Sequence, residues 1–96
     1  MKKGYWVVAY RAVRDESALK EYGKLAVPAI EAGGGRFLIR TTAVQAHEAG
    51  VNQRLVVTEF DSLEKALATY NSDAYQAALR VLGSGAERDF RIVEGA

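Results

Sequence analysis

The chain has 96 residues, with thirteen basic side chains, twelve acidic ones and no cysteine. A chain of this length is expected to fold as one domain over residues 1–96, and the lack of cysteine excludes disulfides and thiolate metal sites and is compatible with a cytoplasmic location. Because the charges are interleaved, the net charge is +1 and no long apolar segment occurs, binding to nucleic acid or to a membrane is not expected.

The first predicted element is a strand from Tyr5 to Val13, because β-branched and aromatic residues dominate this segment and both of its faces are largely apolar. A helix follows, for which Asp15 or Ser17 is the predicted N-cap. Pro28 lies inside the helical pattern, where it is expected to kink the helix or to restart it. The three glycines at 33–35 end the helix, and one of them is expected to adopt a positive φ and to tolerate valine worse than the other two.

The second strand is predicted from Arg36 to Thr41, with Ala43 to Glu48 as a weaker extension or a separate short strand. Strict alternation would put Phe37 and Ile39 on one face and Arg40 on the other. Turn-forming residues then lead into the clearest strand of the chain, from residue 54 to residue 60.

The last third of the chain predicts two helices and a closing strand. Asp61 is the predicted N-cap of the first of these helices, with Glu64 at the spacing of a capping box. A second helical start follows at Ser72, and the glycines at 83 and 85 end that helix. The closing strand is predicted from Asp89 to Glu94.

The order strand, helix, strand therefore occurs twice, which is typical of the split β-α-β arrangement of a ferredoxin-like α+β sandwich. The strands carry apolar residues on both faces, whereas only about three helical segments are available to cover them. One face of the sheet is therefore expected to contact a second copy of the chain, giving a homodimer.

Two residues attract attention as candidates for chemistry. Alternation places Glu59 beside Leu55 and Val57 on an apolar face, where a carboxylate needs a partner. A structural ion pair with Arg40 or Arg54 is the favoured interpretation, and the others are a ligand-binding group, a general base with a raised pKa, or exposure at a strand end. The other candidate, the histidine at position 47, is the only one in the chain, so a multi-histidine metal site within one chain is excluded and no metal is predicted.

A set of residues spread over nearly the whole chain resembles the domain-of-unknown-function family 1330. The residues that carry this resemblance are Gly4-Tyr5-Trp6, Tyr22, Pro28, Gly34-Gly35-Arg36-Phe37-Leu38-Ile39-Arg40, Arg54, Val57, Glu59-Phe60, Ser62, Ala66, Tyr70, Ser72 and Tyr75-Gln76. The resemblance implies membership of the dimeric α+β barrel superfamily, whose members pack two ferredoxin-like sheets face to face. Relatives in that superfamily include cofactor-free monooxygenases of quinone-type substrates, lactone isomerases, haem enzymes and small-ligand effector domains.

The leading functional hypothesis is a cofactor-independent enzyme that acts on a small planar organic molecule in a pocket between sheet and helices. Arg40 or Glu59 would orient or deprotonate the substrate, which aromatic rings would bind; the rings predicted for this are Trp6, Tyr22, Tyr70 and Tyr75. The alternatives are a non-catalytic ligand-binding or regulatory module and a structural homodimer without ligand. An enzyme needs an acid or base that faces a cavity, whereas a binding module needs only shape and one anchor.

Overall fold

The computed structural model describes residues 2–96. Its elements are β1 (Gly4–Val13), α1 (Glu16–Ala32), β2 (Arg36–Thr42), β3 (Arg54–Phe60), α2 (Leu63–Tyr70), α3 (Asp73–Leu82) and β4 (Ala86–Glu94). The strands form one antiparallel sheet in the order β2-β3-β1-β4. This is the ferredoxin-like α+β fold that the order of elements predicts, with two helices instead of one between β3 and β4.

Alternation along the central strand β1 defines the two faces of the sheet. Trp6, Val8 and Tyr10 are buried on the face that the helices cover, while Tyr5 and Val7 are half-buried on the opposite face. The hydrophobic core lies between the first face and the helices, because every large buried side chain of β1 points into it. We call the opposite face, which none of the three helices within residues 2–96 covers, the open face.

Helix α1 begins at a side-chain N-cap and continues past its internal proline. The carboxylate of Asp15 accepts a hydrogen bond from the backbone N–H of Ala18 at 3.0 Å, which confirms Asp15 as the N-cap. The helix continues through Pro28 to Ala32, so the expected restart is wrong. Pro28 and Lys24 are both exposed, and water can therefore satisfy the Lys24 carbonyl that a proline leaves without an N–H donor.

The predicted strand over residues 43–48 is wrong. β2 ends at Thr42, which pairs with Arg54 at the start of β3, so the residues between them have no neighbouring strand with which to pair. They form a loop that a hydrogen bond from Ala43 N to Gln53 O closes at 3.1 Å.

The start of α2 also differs from the prediction. Ser62, not Asp61, is the N-cap, because its hydroxyl accepts from the backbone N–H of Lys65 at 3.2 Å. The carboxylate of Asp61 instead pairs with Arg36 at 3.2 Å and with Lys3 at 3.6 Å. The predicted start of α3 at Ser72 is confirmed, since the Ser72 hydroxyl accepts a hydrogen bond from the backbone N–H of Tyr75 at 3.2 Å.

The glycine run after α1 makes a tight turn into β2. Gly34 has a φ of 87°, which confirms the expectation that one of the three glycines adopts a positive φ. The expectation that valine matters less at the other two positions is wrong, because a side chain at either of them meets neighbouring atoms. A Cβ on Gly33 would collide with the side chain of Thr69, and one on Gly35 would lie 2.5 Å from Ile30 Cγ2. Both positions need glycine because the neighbouring elements approach the backbone closely.

Among residues 2–96, no helix combines the length and the apolar character that crossing a membrane requires.

Candidate ligand-binding site

A cavity of about 320 Å³ lies between helix α1 and the covered face of the sheet. This volume is at the lower end of the range of roughly 300–1,000 Å³ that is typical of ligand pockets. It is lined by residues of α1 and of all four strands: Trp6, Val8, Tyr10, Glu16, Leu19, Lys20, Tyr22, Gly23, Ala26, Val27, Ile30, Phe37, Arg40, Arg54, Val56, Thr58, Arg88 and Phe90. The residues of one chain are therefore sufficient to form the cavity.

Aromatic rings form one wall of the cavity, and Trp6 is at its centre. The indole Nε1 donates a hydrogen bond to the carbonyl of Ala66 at 2.9 Å, which attaches the ring to α2. Its ring centroid lies 5.1 Å from that of Phe60, 4.8 Å from that of Tyr75 and 5.2 Å from that of Phe90. These tilted contacts fix the orientation of the indole, so the wall is rigid.

Tyr22 and Arg88 connect α1 to β4 across the cavity. Nη1 of Arg88 donates a hydrogen bond to the hydroxyl of Tyr22 at 3.1 Å, and that hydroxyl is 2.6 Å from the hydroxyl of Tyr75. Burial raises the pKa of Tyr75 and also that of Tyr10, so both phenols are neutral. Burial alone would lower the pKa of Arg88. The phenolic oxygens around it raise the pKa by more than burial lowers it, so the guanidinium is charged.

The guanidinium of Arg88 is surrounded by rings. Its central carbon lies 4.9 Å from the ring centroid of Tyr22, 5.6 Å from that of Tyr10 and 5.3 Å from that of Phe90. These are cation–π distances. The three rings and the hydrogen bond to Tyr22 therefore hold the guanidinium in position without an anionic partner among residues 2–96.

Positive charge is concentrated in the cavity. Arg40, Arg54, Arg88 and Lys20 line it, whereas Glu16 is the only carboxylate that does. No carboxylate of residues 2–96 lies within ion-pair distance of any of the three guanidinium groups. The lining thus carries an excess of three positive charges in a protein whose net charge is +1.

Gly23 lines the cavity from the middle of helix α1. A Cβ built at this position would have no neighbouring atom within 4 Å, so neither close packing nor a positive φ requires glycine here. Glycine inside a helix is less stable than alanine by roughly 0.5–1 kcal/mol. No packing contact of Gly23 compensates for this loss.

Thr58 lies on the floor of the cavity and is 1% exposed. Its Oγ1 is the one buried side-chain polar atom without a hydrogen-bond partner among the residues that the structure describes. Buried hydroxyls normally have partners. Unpartnered polar groups of this kind are often found where proteins bind ligands or ordered water.

Glu59 does not lie in the cavity. It points to the open face, where Arg36 Nη2 donates to Oε1 at 3.0 Å and the hydroxyl of Tyr5 donates to Oε2 at 2.9 Å. The hydrogen bond from Arg36, followed by the one from Tyr5, lowers the pKa of this carboxyl below its usual value. The expected ion pair with Arg40 or Arg54 is wrong, and the two predicted catalytic residues are on opposite faces of the sheet.

A register shift in β2 explains the separation of these two residues. Arg36 is opposite Glu59 in the ladder, but a bulge between Phe37 and Ile39 shifts the pairing so that Arg40 is opposite Val56. Arg40 therefore joins Phe37 on the cavity side, 4.6 Å above its ring. Strict alternation would have put Arg40 on the same face as Glu59.

Of the four aromatic residues predicted to bind substrate, Trp6 and Tyr22 line the cavity. Tyr75 lies behind these two residues, with its hydroxyl 2.6 Å from that of Tyr22 and its ring 4.8 Å from that of Trp6 between centroids. Tyr70 packs edge-on against Trp6 at 6.1 Å between centroids. The single histidine is exposed in the loop after β2. Within residues 2–96 no group of three potential metal ligands is found.

Sequence reasoning missed Arg88, Tyr10 and Gly23 as parts of the site. The closing strand β4 begins at Ala86, three residues before its predicted start, because Ala86 pairs with Val13. With the correct start, alternation with Phe90 would have placed Arg88 on the covered face. For Gly23, a glycine in the middle of an otherwise strong helical pattern was the available signal.

Comparison with known proteins gives a family and a fold. The model of the family described as "Domain of unknown function (DUF1330)" matches residues 3–96. A search of the curated proteins finds no match to this chain.

Several solved structures share the fold at low sequence identity. A protein of unknown function from Rhodopseudomonas palustris superposes with a TM-score of 0.74 at 15% identity, over 97% of this chain and 80% of that one. An EthD family protein from Bacillus halodurans gives 0.65 at 18% identity over the whole of both chains. A protein from Nitrosomonas europaea, provisionally described as an antibiotic biosynthesis monooxygenase, gives 0.61 at 16% identity over 97% of each chain.

Proposed function

Given that the chain belongs to the DUF1330 family of unknown function, we propose that its cavity binds a small planar organic molecule. The volume of about 320 Å³ lies at the lower end of the range of roughly 300–1,000 Å³ for small-molecule sites, which favours a small ligand. Rings of Trp6, Tyr22 and Phe90 offer flat apolar surfaces, and arginine side chains offer polar anchors at the same cavity. A ligand of one or two fused rings fits these dimensions.

The observation that carries this proposal is Gly23. A helix-interior glycine with open space beside it lowers stability, and neither close packing nor a positive φ requires it here. A ligand that fills the space next to the backbone of α1 supplies the missing reason. Any larger side chain at this position would project into the volume that the ligand occupies.

Binding is better supported than proton abstraction. The only carboxylate in the lining, Glu16, is exposed in the first turn of α1, and Glu59 is on the open face. A general base has to reach the proton that it removes. We therefore favour a ligand-binding or regulatory module over a cofactor-independent enzyme.

A cofactor-independent enzyme is the second candidate, and the arginine cluster favours it. Guanidinium groups aimed at a position where negative charge develops stabilise an anionic transition state without a metal or a cofactor. The provisional monooxygenase description of the Nitrosomonas europaea protein, which shares this fold, is consistent with such chemistry. In that case Arg40, which lines the cavity, would orient the substrate.

The open face is the proposed contact with a second copy of the chain. Ile39 is 41% exposed and Val93 is 40% exposed, and they lie on either side of the half-buried pair Val57 and Val7. Apolar side chains in neighbouring strands form a patch that monomers usually cover. Two such sheets packed face to face would form the barrel that the resemblance implies.

The test of ligand binding is a thermal-shift screen of small planar aromatic compounds against the wild type and two variants. Gly23→Leu fills the cavity, and Ala32→Leu adds the same side chain at an exposed position of the same helix. We expect compounds that raise the Tm of the wild type and of Ala32→Leu but not of Gly23→Leu. If no compound raises the wild-type Tm, or if every hit raises the Tm of Gly23→Leu equally, the cavity is not a binding site.

A further inference from the structure

We propose that the ligand of this cavity is an organic acid whose carboxylate binds to Arg88, with Arg40 and Arg54 providing the surrounding positive field. This inference rests on the proposed function and adds the charge and chemical class of the ligand. The added observation that carries it is the arginine cluster that lines the cavity.

Arg88 is the anchor because it is held in place but lacks an ionic partner. Its hydrogen bond to Tyr22 and its contacts with the rings of Tyr10 and Phe90 fix the guanidinium plane. A guanidinium has five N–H donors in a rigid fork that matches a carboxylate. A half-buried cation normally pairs with an anion, since burying an unpaired charge is costly.

Residues 2–96 do not provide that anion. The carboxylates nearest to Arg88 in sequence are accounted for elsewhere, because Asp89 pairs with Arg91 at 2.9 Å and Glu87 pairs with Arg14 at 2.7 Å. Both carboxylates point away from the covered face, because the side chains of neighbouring residues in a strand lie on opposite faces of the sheet. The cavity is therefore the place from which an anion can reach this guanidinium.

Arg40 and Arg54 extend the positive field across the other side of the cavity. Arg40 stacks on Phe37, which leaves the edge of its guanidinium available. Arg54 begins β3 and forms no ion pair among residues 2–96. Three unpaired guanidinium groups around one small cavity repel a cationic ligand. A neutral ligand cannot form charge-assisted hydrogen bonds with them, which are the strongest contacts that the cavity offers.

The chemistry of the two walls defines the class of ligand. The rings favour a planar, unsaturated skeleton, and the arginine fork favours a carboxylate attached to it. Aromatic carboxylic acids of one or two rings combine both features. Phosphate esters and sulfonates share the charge, so the discriminating property to measure first is the negative charge itself.

The experiment compares 2-naphthoate with 2-naphthamide, which have the same rings and nearly the same shape but differ in charge. Isothermal titration calorimetry on the full chain is expected to give a Kd for the carboxylate that is lower by about tenfold, as hydrogen bonds to charged groups are stronger than neutral ones. Added salt should weaken binding of the carboxylate and leave that of the amide unchanged.

Two variants assign the preference to Arg88. In Arg88→Gln the Kd of 2-naphthamide divided by the Kd of 2-naphthoate is expected to fall to about one, because the ion pair is lost while the rings remain. Arg91→Gln is the matched control, since Arg91 is on the same strand but is exposed and belongs to the opposite face. Its ratio should equal that of the wild type.

The outcomes separate this inference from the proposed function. If the amide binds the wild type as tightly as the carboxylate, the ligand is not an acid, and the cavity remains a binding site. If the ratio survives in Arg88→Gln, another group binds the carboxylate and Arg88 is not the anchor. If neither compound nor any other planar aromatic compound binds, both proposals fail. The comparison of the two compounds on the wild type does not depend on whether Arg88→Gln folds.

Discussion

The substitution Thr58→Val should stabilise the protein, although it changes a fully buried residue of a central strand. Thr58 is 1% exposed, and its hydroxyl oxygen has no hydrogen-bond partner among residues 2–96. Valine has the same branching at Cβ and a similar volume, and it is a good strand former. The change therefore removes an unsatisfied polar group and leaves the packing nearly unaltered.

The magnitude follows from the desolvation of one hydroxyl. A buried polar group without a partner costs about 1–3 kcal/mol, so we expect the free energy of unfolding to rise by about 1 kcal/mol. For a domain of roughly 60–100 residues, 1 kcal/mol raises the Tm by about 4–8 °C. Most buried substitutions have the opposite sign, which makes a rise informative.

The assay is chemical and thermal denaturation of wild type, Thr58→Val and the matched control Thr69→Val. Thr69 is also buried at 3% exposure, but its hydroxyl donates to the carbonyl of Lys65 at 2.8 Å. Thr69→Val should lose about 0.5–1.5 kcal/mol, the net contribution of one hydrogen bond. If Thr58→Val lowers stability as Thr69→Val does, the hydroxyl of Thr58 has a partner such as bound water, and the reasoning is refuted.

Three further predictions concern the turn after α1, the ion pair on the open face and the dimer. Gly34→Ala should lower stability by about 1 kcal/mol because of its positive φ. Gly35→Ala should lower it by about 1–3 kcal/mol through overpacking against β3 and α1; equal stability to wild type in urea would contradict either value. Since the folded pKa of Glu59 is depressed, its stabilising effect is present above the ordinary pKa of 4.5 and is lost as pH falls below it. Glu59→Gln should therefore show a shallower loss of Tm below that pH, and an identical pH profile would argue against the pair. Light scattering should give twice the chain mass for wild type and the monomer mass for Val57→Lys; a folded wild-type monomer would exclude the barrel.

The sequence was sufficient for the fold because period-two and helical patterns depend on local chemistry. Trp6, Val8 and Tyr10 alternate with less apolar residues, and the structure buries these three against the helices. Asp15 and Ser72 are the N-caps of α1 and α3, and each accepts a hydrogen bond from a backbone N–H three residues further on. Such short-range contacts can be predicted from a single sequence.

The site was less predictable because it depends on register. A single bulge in β2 moves Arg40 to the cavity side and leaves Arg36 opposite Glu59, and nothing in the sequence near Leu38 marks that bulge. Arg88 was missed for a related reason. The residues at the start of β4 are mostly charged and lack a clear strand pattern, and β4 extends to Ala86 only because it pairs with β1 there. Long-range pairing, not local propensity, decided which arginines share the cavity.

Trp6 makes this protein its own optical reporter. It is the only tryptophan in the chain, and its indole forms part of the cavity wall. Excitation of tryptophan therefore gives emission from a single known position, without contributions from elsewhere in the fold. For ligands that do not absorb at the excitation wavelength, quenching or a spectral shift of this emission yields affinities and stopped-flow association rates on the unlabelled native chain.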